Sequence, residues 1–200
     1  MKYYAVKEGN ETGIFKTWEE CKVAIAGYKG AKFKSFQSEE EAIAFMEGQD
    51  FWESKVLQDI EAGYLVIFSD GSYDDEIKKY SYGAVIIGPG LKEVHLSANG
   101  NNEKYISSRN VIGEVLGVLN GLNWALTKGF TKVKVYHDYE GLSKWADGEW
   151  FAKSEVGKMY ISKYKERFVG KIDVVFEKVK GHSNSKYNDI ADKLAKEALK

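Results

Sequence analysis

The sequence has 200 residues, of which 44% are hydrophobic and 30% are charged, so it is long and apolar enough to form a buried core. No apolar run reaches roughly 18 residues and no basic leader precedes one, so we expect no membrane span and no secretion signal. The formal net charge of −1 gives no general attraction to polyanions. The single cysteine, Cys21, fits a reducing compartment, and we expect a cytoplasmic protein.

Residues 1–48 are predicted to form a small α+β domain. Two short strands, YYAVKEG and GIFKT, flank a turn, and AKFKSF alternates like a third strand. Thr17 with Glu20, and Ser38 with Glu41, form capping-box patterns, and each pattern predicts the start of a helix. The predicted order is therefore strand, strand, helix, strand, helix.

Residues 63–200 alternate strands and helices, and a linker with some helical pattern at residues 49–62 precedes them. YLVIFSDGS is a nearly continuous apolar run that ends in acidic and turn residues, which is typical of a buried central strand. SYGAVIIG and KEVHLSANG follow as its expected antiparallel partners, and helical patterns surround the later strands KVKVYHD and KIDVVFEKVK. The sequence therefore predicts an α/β domain with a mixed five-stranded sheet flanked by helices.

Four carboxylates stand on four different predicted elements of this second domain. Asp70 and Asp138 end predicted strands, at the edge where open α/β sheets bind ligands. Glu114 lies early in the long predicted helix NVIGEVLGVLNGLNWALTKG, and Asp192 lies on the final helix. Oxygen ligands suit hard cations such as Mg²⁺, and a pair of such cations can activate water and stabilise a leaving oxygen in phosphodiester hydrolysis.

Each of these residues, taken alone, also has an ordinary structural explanation. Asp70 could be a turn residue, Glu114 a helix-start acid and Asp138 the N-cap of the next helix. His182 could be a surface residue of a loop. The interpretation as a catalytic site therefore depends on the joint order of the residues along the chain.

That joint order resembles type 1 ribonuclease H over nearly all of residues 64–199. The motifs that carry the resemblance are Asp-Gly-Ser at 70–72, Arg-Asn-Val-Ile-Gly-Glu at 109–114, His-Asp-Tyr at 137–139, Lys-Gly-His at 180–182 and Asn-Asp-Ile-Ala-Asp at 188–192. The resemblance implies a ribonuclease H-like fold. It also implies endonucleolytic cleavage of the RNA strand of RNA–DNA hybrids by a pair of Mg²⁺ ions, with Mn²⁺ as a substitute and 5′-phosphomonoesters as products.

The resemblance also assigns roles to single residues. The implied metal ligands are Asp70, Glu114, Asp138 and Asp192. His182 would help the product to leave, and Asp189 occupies a position where such enzymes often carry a glutamate near the scissile phosphate. Because Asp189 is one methylene shorter, its catalytic role stays open. Asn188, one helical turn before Asp192, is expected to be a polar neighbour that contacts substrate.

Two departures from the family pattern affect the expected substrate contacts. YDDEIKKY replaces the glycine-rich turn that many relatives have after Asp-Gly-Ser. Arg109 and Asn110 stand where a Thr-Asn pair commonly grips a DNA phosphate. Because arginine can hold a phosphate bidentately, we expect Arg109 and Asn110 to bind the substrate backbone by different chemistry.

The first domain resembles the hybrid-binding domain often fused in front of this enzyme, on the motifs YAV, TG-F-TW-EC and FK-F. The resemblance implies that Trp18 and Phe33 lie against DNA sugars while Lys34 meets phosphates. The alternative is that the aromatic residues form the core of a tiny domain. We expect that role for Tyr4 and Phe36, and an interface role for Trp18 and Phe33.

Three functions remain open on the sequence alone: a hybrid-specific nuclease with a tethering domain, a binding module that has lost catalysis, and a nuclease of related fold that acts on duplex DNA. The complete set of four acids favours catalysis. The first domain and the Gly-His motif favour hybrids as the substrate. We expect a monomer with an RNA–DNA hybrid as its partner and no membrane partner.

Overall fold

The computed structural model describes residues 2–179 and 185–200. By its internal contacts the chain separates into two units, Met1–Leu57 and Gln58–Lys200. Each unit has its own β-sheet. No helix in these described ranges is long and apolar enough to cross a lipid bilayer.

The smaller unit is built on a three-stranded antiparallel sheet in the order β2-β1-β3. Its elements are β1 Tyr3–Glu8, β2 Gly13–Phe15, α1 Trp18–Ile25, β3 Lys32–Phe36 and α2 Glu39–Glu47. Apolar residues cover both sheet faces, because Val6 packs with Cys21 and Ala24 of α1 while Ala5 packs with Ala42 of α2. The small α+β unit predicted from the sequence is confirmed.

Both predicted capping boxes are present in this unit. The Thr17 hydroxyl accepts a hydrogen bond from the Glu20 N–H at 3.3 Å, and the Glu20 carboxylate accepts one from the Thr17 N–H at 3.1 Å. Ser38 and Glu41 make the same reciprocal pair at the start of α2. Because each box satisfies backbone N–H groups that a helix start leaves unpaired, the local sequence determines where these helices begin.

The larger unit contains the predicted mixed five-stranded sheet, in the order β6-β5-β4-β7-β8. Its strands are β4 Leu65–Asp74, β5 Lys79–Ile87, β6 Val94–Gly100, β7 Lys132–His137 and β8 Asp173–Lys178. Its helices after β4 are α4 Glu103–Ile106, α5 Asn110–Thr127, α6 Gly141–Ala146, α7 Glu155–Arg167 and α8 Lys186–Ala198. β4, β5 and β6 pair antiparallel, whereas β7 and β8 run parallel to β4. The short helix α4 was not predicted.

Helices α5 and α8 cover opposite faces of the central strand β4. Ile67 of β4 lies against Gly121 of α5, whereas the ring of the next residue, Phe68, lies 5.3 Å from the ring of Tyr187 on α8. Successive side chains of a strand point to opposite faces, so β4 is buried on both sides. This explains why its first residues form a continuous apolar run instead of an alternating one.

The segment at residues 49–62 is mostly a helix, α3, at Phe51–Glu61, and the division between the units falls inside it. Near its end Asp59 is buried, and its carboxylate accepts hydrogen bonds from the Tyr136 hydroxyl at 2.5 Å and from the ammonium of Lys134. Both partners lie on β7. Because a buried carboxylate is stable only when it is paired, the last turn of α3 is a structural part of the larger unit.

Candidate active site

Asp70 lies at the point where β4 and β7 separate. The parallel pairing of the two strands ends at Phe68 opposite Tyr136, but β4 continues through Asp70 to Asp74 because β5 remains paired with it. Asp70 is therefore inside a strand and not at the strand end or in the turn that the sequence suggests. Because β5 stays paired with β4, the backbone of β4 remains extended beyond the point where its pairing with β7 ends.

Asp138 directly follows β7 and is exposed at the same edge of the sheet. The N-cap residue of α6 is Glu140, so Asp138 does not cap that helix and the simplest structural explanation for it is wrong. Asp70, just past the end of the parallel pairing of β4 and β7, and Asp138, just past β7, thus lie at the same edge of the parallel part of the sheet. Open α/β sheets bind their ligands at this edge.

Glu114 is brought towards Asp70 by direct contact between the backbones of α5 and its neighbouring strands. A Cβ atom on Gly71 would lie 2.5 Å from the nitrogen of Glu114, and one on Gly113 would lie 2.0 Å from the carbonyl oxygen of Ser81. Only residues without a side chain permit this approach. The two glycines, each next to an acid of the candidate site, therefore determine how closely helix and sheet meet.

Asp192 reaches the same region through a third close approach. Gly83 pairs with Asp70 across β4 and β5, and a Cβ atom on Gly83 would lie 2.1 Å from the carbonyl oxygen of Ala191 on α8. Asp192 is the next residue of that helix and is half-buried. The four acids predicted from the sequence therefore lie on four separate segments of the chain, and the packing of these segments brings the acids near Asp70.

The charges of the neighbouring acids affect Asp70. Burial, together with the negative charges of Asp138 and Asp192, raises the pKa of Asp70 to about 6. The Gly71 N–H, which donates to Asp70 Oδ1 at 2.7 Å, and the Lys196 ammonium act in the opposite direction but do not cancel the increase. The negative charge around Asp70 is therefore only partly neutralised by positively charged groups of the protein.

Glu114 is only 4% exposed, which excludes its interpretation as a solvated helix-start acid. Burial raises the pKa of its carboxyl group to about 9, and the negative charges of Asp138 and Asp70 add to this effect. Its Oε1 accepts a hydrogen bond from Asn110 Nδ2 at 3.4 Å, whereas Oε2 has no hydrogen-bond partner within the described residues. A buried carboxylate oxygen with a free lone pair is suited to a ligand that carries positive charge.

These features fit divalent cations. In the described part of the chain, no three histidine, cysteine, aspartate or glutamate side chains already stand at metal-coordinating positions. The fit comes instead from the donor atoms, which are all carboxylate oxygens. One of them is buried and has no hydrogen-bond partner among the described residues, and the pKa values of two of the carboxyl groups are raised. The assignment of the four acids as metal ligands stays a prediction.

The raised pKa of Glu114 predicts that the metal-free protein becomes less stable as pH rises. The folded state holds the Glu114 proton more tightly than the unfolded state, so this group favours folding fully below about pH 4.5 and loses that contribution as pH approaches 9. Unfolding in urea with EDTA should show a fall in the free energy of unfolding on the order of 4 kcal/mol between about pH 5 and pH 8.

Glu114→Gln should remove most of this fall, whereas Glu166→Gln, at an exposed glutamate of α7, should keep it. An identical pH dependence in the parent and in Glu114→Gln would contradict the buried, proton-binding state of Glu114.

Lys196 is a neighbour of the candidate site that was not identified from the sequence. Its Nζ lies 2.7 Å from Asp192 Oδ2, one helical turn away, and its positive charge lowers the pKa of Asp70. The i,i+4 spacing of an acid and a lysine was the available signal. A cation held by Asp192 would share that carboxylate with this ammonium group.

Arg109 and Asn110 lie at the start of α5, next to the acids. Arg109 is exposed and has φ of +49°, a backbone conformation that is strained for any residue with a side chain. Its guanidinium lies 5.9 Å from the ring centroid of Tyr73 on β4. Asn110 is exposed and donates to Glu114. Their role in phosphate binding stays a prediction.

The remaining predicted residues of this unit lie at or before α8. Ser185 caps the helix by accepting a hydrogen bond from the Asn188 N–H at 3.4 Å. Asn188 is half-buried, whereas Asp189 is exposed in the first turn, as expected of a helix-start acid. His182 lies outside the described residues, so its predicted role in product release is not addressed by the structure.

His137, next to Asp138, is a second residue whose position was not expected from the sequence. It is 1% exposed, and its Nδ1 lies 2.9 Å from the carbonyl oxygen of Tyr139. Its Nε2 is buried without a hydrogen-bond partner among the described residues. Burial lowers the pKa of this imidazole.

The predicted contacts of the smaller unit lie on both sides of the edge strand β3. The Trp18 and Phe33 rings are 6.0 Å apart and are 38% and 43% exposed, and Tyr4 packs beneath Trp18 at 5.7 Å. Phe36 is buried, as expected. Lys34 is exposed and points to the face opposite Phe33, where its ammonium lies 5.8 Å from the Phe36 ring. Their contacts with nucleic acid stay predictions.

Comparison with known proteins places both units in established groups. The model of the family described as "Ribonuclease H1 N-terminal domain" matches residues 2–46, and the model of the family described as "RNase H" matches residues 62–200. Ribonuclease H1 of Homo sapiens is 23% identical over 265 aligned residues, which cover 99% of this chain and 89% of the human protein. Ribonuclease H of Saccharomyces cerevisiae is 52% identical over 44 residues, 22% of this chain and 13% of the yeast protein.

A solved structure confirms the predicted fold of the larger unit. The crystal structure of LC11-RNase H1 in complex with RNA/DNA hybrid superposes with a TM-score of 0.54 at 17% identity, covering 68% of this chain and 99% of that chain. The match to the RNase H family over residues 62–200 covers more than half of the sequence. The chain therefore belongs to the ribonuclease H family.

Proposed function

We propose that this protein is an endonuclease that hydrolyses the RNA strand of RNA–DNA hybrids and leaves 5′-phosphomonoesters. The convergence of four carboxylates near Asp70, where the parallel pairing of β4 and β7 ends, is the observation that carries the proposal. The family membership supports it, as does the relative of the same fold that was crystallised with an RNA/DNA hybrid. The monomeric state and the cytoplasmic location expected from the sequence remain part of the proposal.

The residues that would hold divalent cations are Asp70, Glu114, Asp138 and Asp192. When bound, a pair of Mg²⁺ ions, or Mn²⁺ in their place, would supply an activated water and stabilise the leaving oxygen. The contribution of the chain is to hold four carboxylates from separate elements at one place. A cation would contact the buried Oε2 of Glu114, which has no hydrogen-bond partner in the described part of the chain, and would offset the charge repulsion that helps to raise the pKa of Asp70.

Other residues of the larger unit orient the hybrid. Arg109 and Asn110 bind a backbone phosphate at the start of α5, where the N–H groups of the helix also favour an anion. Asn188 contacts the substrate beside Asp192, and His182 helps the cleaved product to leave. Asp189, being exposed, acts mainly as a helix-start acid.

The smaller unit tethers the substrate. The exposed ring pair of Trp18 and Phe33 provides a surface on which sugars or bases of a strand can stack, and Lys34 reaches a phosphate from the same edge strand. Because the tether is covalently joined to the catalytic unit, it raises the local concentration of long hybrids at the acids.

Cleavage of three matched duplexes, RNA–DNA, RNA–RNA and DNA–DNA, tests the proposed substrate. We expect cleavage of the RNA strand of the hybrid in Mg²⁺ and little or none of the other two duplexes. Preferred cleavage of DNA–DNA would instead support a nuclease for duplex DNA. Hybrid binding without cleavage in Mg²⁺ and in Mn²⁺ would support a binding module.

Trp18→Ala is expected to weaken binding to a long hybrid by about 10-fold, because one stacking ring is worth about 1–3 kcal/mol. Binding to long hybrids is measured by fluorescence anisotropy in EDTA. Cleavage of a very short hybrid, which needs only the catalytic unit, should change little. Val23→Ala is the matched control, since Val23 is exposed on the same helix. Equal losses on both hybrid lengths would indicate misfolding and count against the tether.

A further inference from the structure

Asp138, a proposed metal ligand, lies in a short turn between β7 and α6. Strand β7 ends at His137, and Asp138 itself is exposed. The carbonyl oxygen of His137 accepts a hydrogen bond from the Val179 N–H at 2.7 Å, which ends the pairing of β7 with β8. After this bond the backbone turns through Asp138 and Tyr139 before α6 begins at Gly141, and local contacts stabilise this turn.

The carbonyl oxygen of Tyr139 is the centre of those local contacts. It accepts a hydrogen bond from the Leu142 N–H at 3.2 Å, and His137 Nδ1 lies 2.9 Å from it. Because a carbonyl oxygen can only accept, Nδ1 must carry the proton and donate it. The imidazole thus connects the last residue of β7 with Tyr139, the residue after Asp138, on the buried side of the turn.

Within the described residues, the contact of Nδ1 with the Tyr139 carbonyl oxygen is the hydrogen bond that the His137 ring makes. The ring is 1% exposed, and it packs edge-to-face against Phe176 of β8 with centroids 5.7 Å apart. The other ring nitrogen, Nε2, has no hydrogen-bond partner in the described part of the chain. A leucine or phenylalanine would fill such an apolar place without leaving an unpaired nitrogen, so the histidine is suited to the Nδ1 contact.

The backbone of Tyr139 also links Asp138, the residue before it, to Glu114 of α5. The Tyr139 backbone acts to lower the pKa of the Glu114 carboxyl group, which places it near that buried group, while its carbonyl oxygen is the atom that His137 holds. Its ring packs edge-to-face against Trp145 of α6 at 5.5 Å. Movement of this residue would therefore displace the backbone of Asp138 relative to Glu114.

We propose that His137 is a positioning residue for the metal-binding acids: its Nδ1–H holds the carbonyl oxygen of Tyr139 and thereby fixes Asp138 relative to Glu114. The inference rests on the proposed function, since it concerns the same acids. Groups that orient metal ligands typically change metal affinity by about 10- to 100-fold when they are removed.

A pair of amide variants separates the two ring nitrogens. The side-chain nitrogen of asparagine can take the place of Nδ1, whereas that of glutamine reaches the place of Nε2. We expect His137→Asn to bind Mn²⁺ within about 3-fold of the parent and His137→Gln to bind it at least about 10-fold more weakly, by isothermal titration calorimetry without nucleic acid. Thermal unfolding in EDTA, which should be similar for the two variants, controls for stability.

Equal Mn²⁺ affinity of the two variants would overturn the proposal. A parent that binds no Mn²⁺ and cleaves no hybrid would instead overturn the proposed function. If neither variant folds, long-range ¹H–¹⁵N spectra of the parent decide: a proton on Nδ1 of His137 whose signal shifts on addition of Mg²⁺ supports the proposal, and a proton on Nε2, or an unchanged signal, overturns it.

Discussion

Asp70→Asn is expected to lower the rate of Mg²⁺-dependent hybrid cleavage by at least about 1,000-fold, which corresponds to roughly 4 kcal/mol of transition-state stabilisation. Asparagine keeps the shape of the side chain and can accept a hydrogen bond from the Gly71 N–H, but it removes the negative charge that a divalent cation requires. Single-turnover cleavage of a labelled hybrid measures the effect.

The variant should remain folded, because the raised pKa of Asp70 shows that its charge opposes folding in the metal-free protein. Urea unfolding in EDTA is therefore expected to give a free energy equal to or above that of the parent. Asp173→Asn, at an exposed aspartate that begins β8, is the matched control and should cleave at the parent rate. Cleavage by Asp70→Asn at the parent rate would show that the metal-site assignment is wrong.

Gly113→Ala is expected to destabilise the protein by about 3 kcal/mol, although helix propensity alone predicts a gain of about 1 kcal/mol for this change inside a helix. The added Cβ would lie 2.0 Å from the carbonyl oxygen of Ser81, and a backbone atom in a sheet cannot move aside without displacing the strand. Because Glu114 is the next residue, hybrid cleavage should fall as well. Urea unfolding gives the stability change.

Gly121→Ala, in the same helix, is the matched control for this prediction. The three atoms nearest to its Cβ would all belong to the Ile67 side chain, the closest at 3.1 Å, and a side chain can shift by a few tenths of an ångström. The change should therefore lie within about 1 kcal/mol of neutral, with propensity and crowding nearly balanced. If the two variants unfold at the same urea concentration, direct contact between α5 and β5 does not limit the packing of this helix.

The elements that were predicted well have local causes in the sequence. The capping boxes at Thr17 and Ser38 and the apolar run of β4 determine helix starts and strand burial within a few residues. The helix at Phe51–Glu61 was only partly anticipated. The reason is that Asp59, which looks like a solvated acid, has its partners on β7, far along the chain.

The candidate site shows the same division between local and distant causes. Four acids could be selected by their order along the chain, but the burial of Glu114 depends on where α5 touches the sheet. The glycines of that helix weaken a prediction from propensity, yet they are what permits the contact. The role of His137 also could not be predicted from the sequence, because its Nδ1 contact depends on the conformation of a turn.

The pairing of Asp59 with β7 has a practical consequence for isolating the catalytic unit. A fragment that begins at residue 63 would contain all four acids but would remove the carboxylate that both Lys134 and Tyr136 contact. The excised unit would then keep a mostly buried ammonium group that has lost its nearest counter-charge. A truncated enzyme should therefore start upstream of α3, and shorter versions are expected to be recovered poorly even though every residue of the site is present.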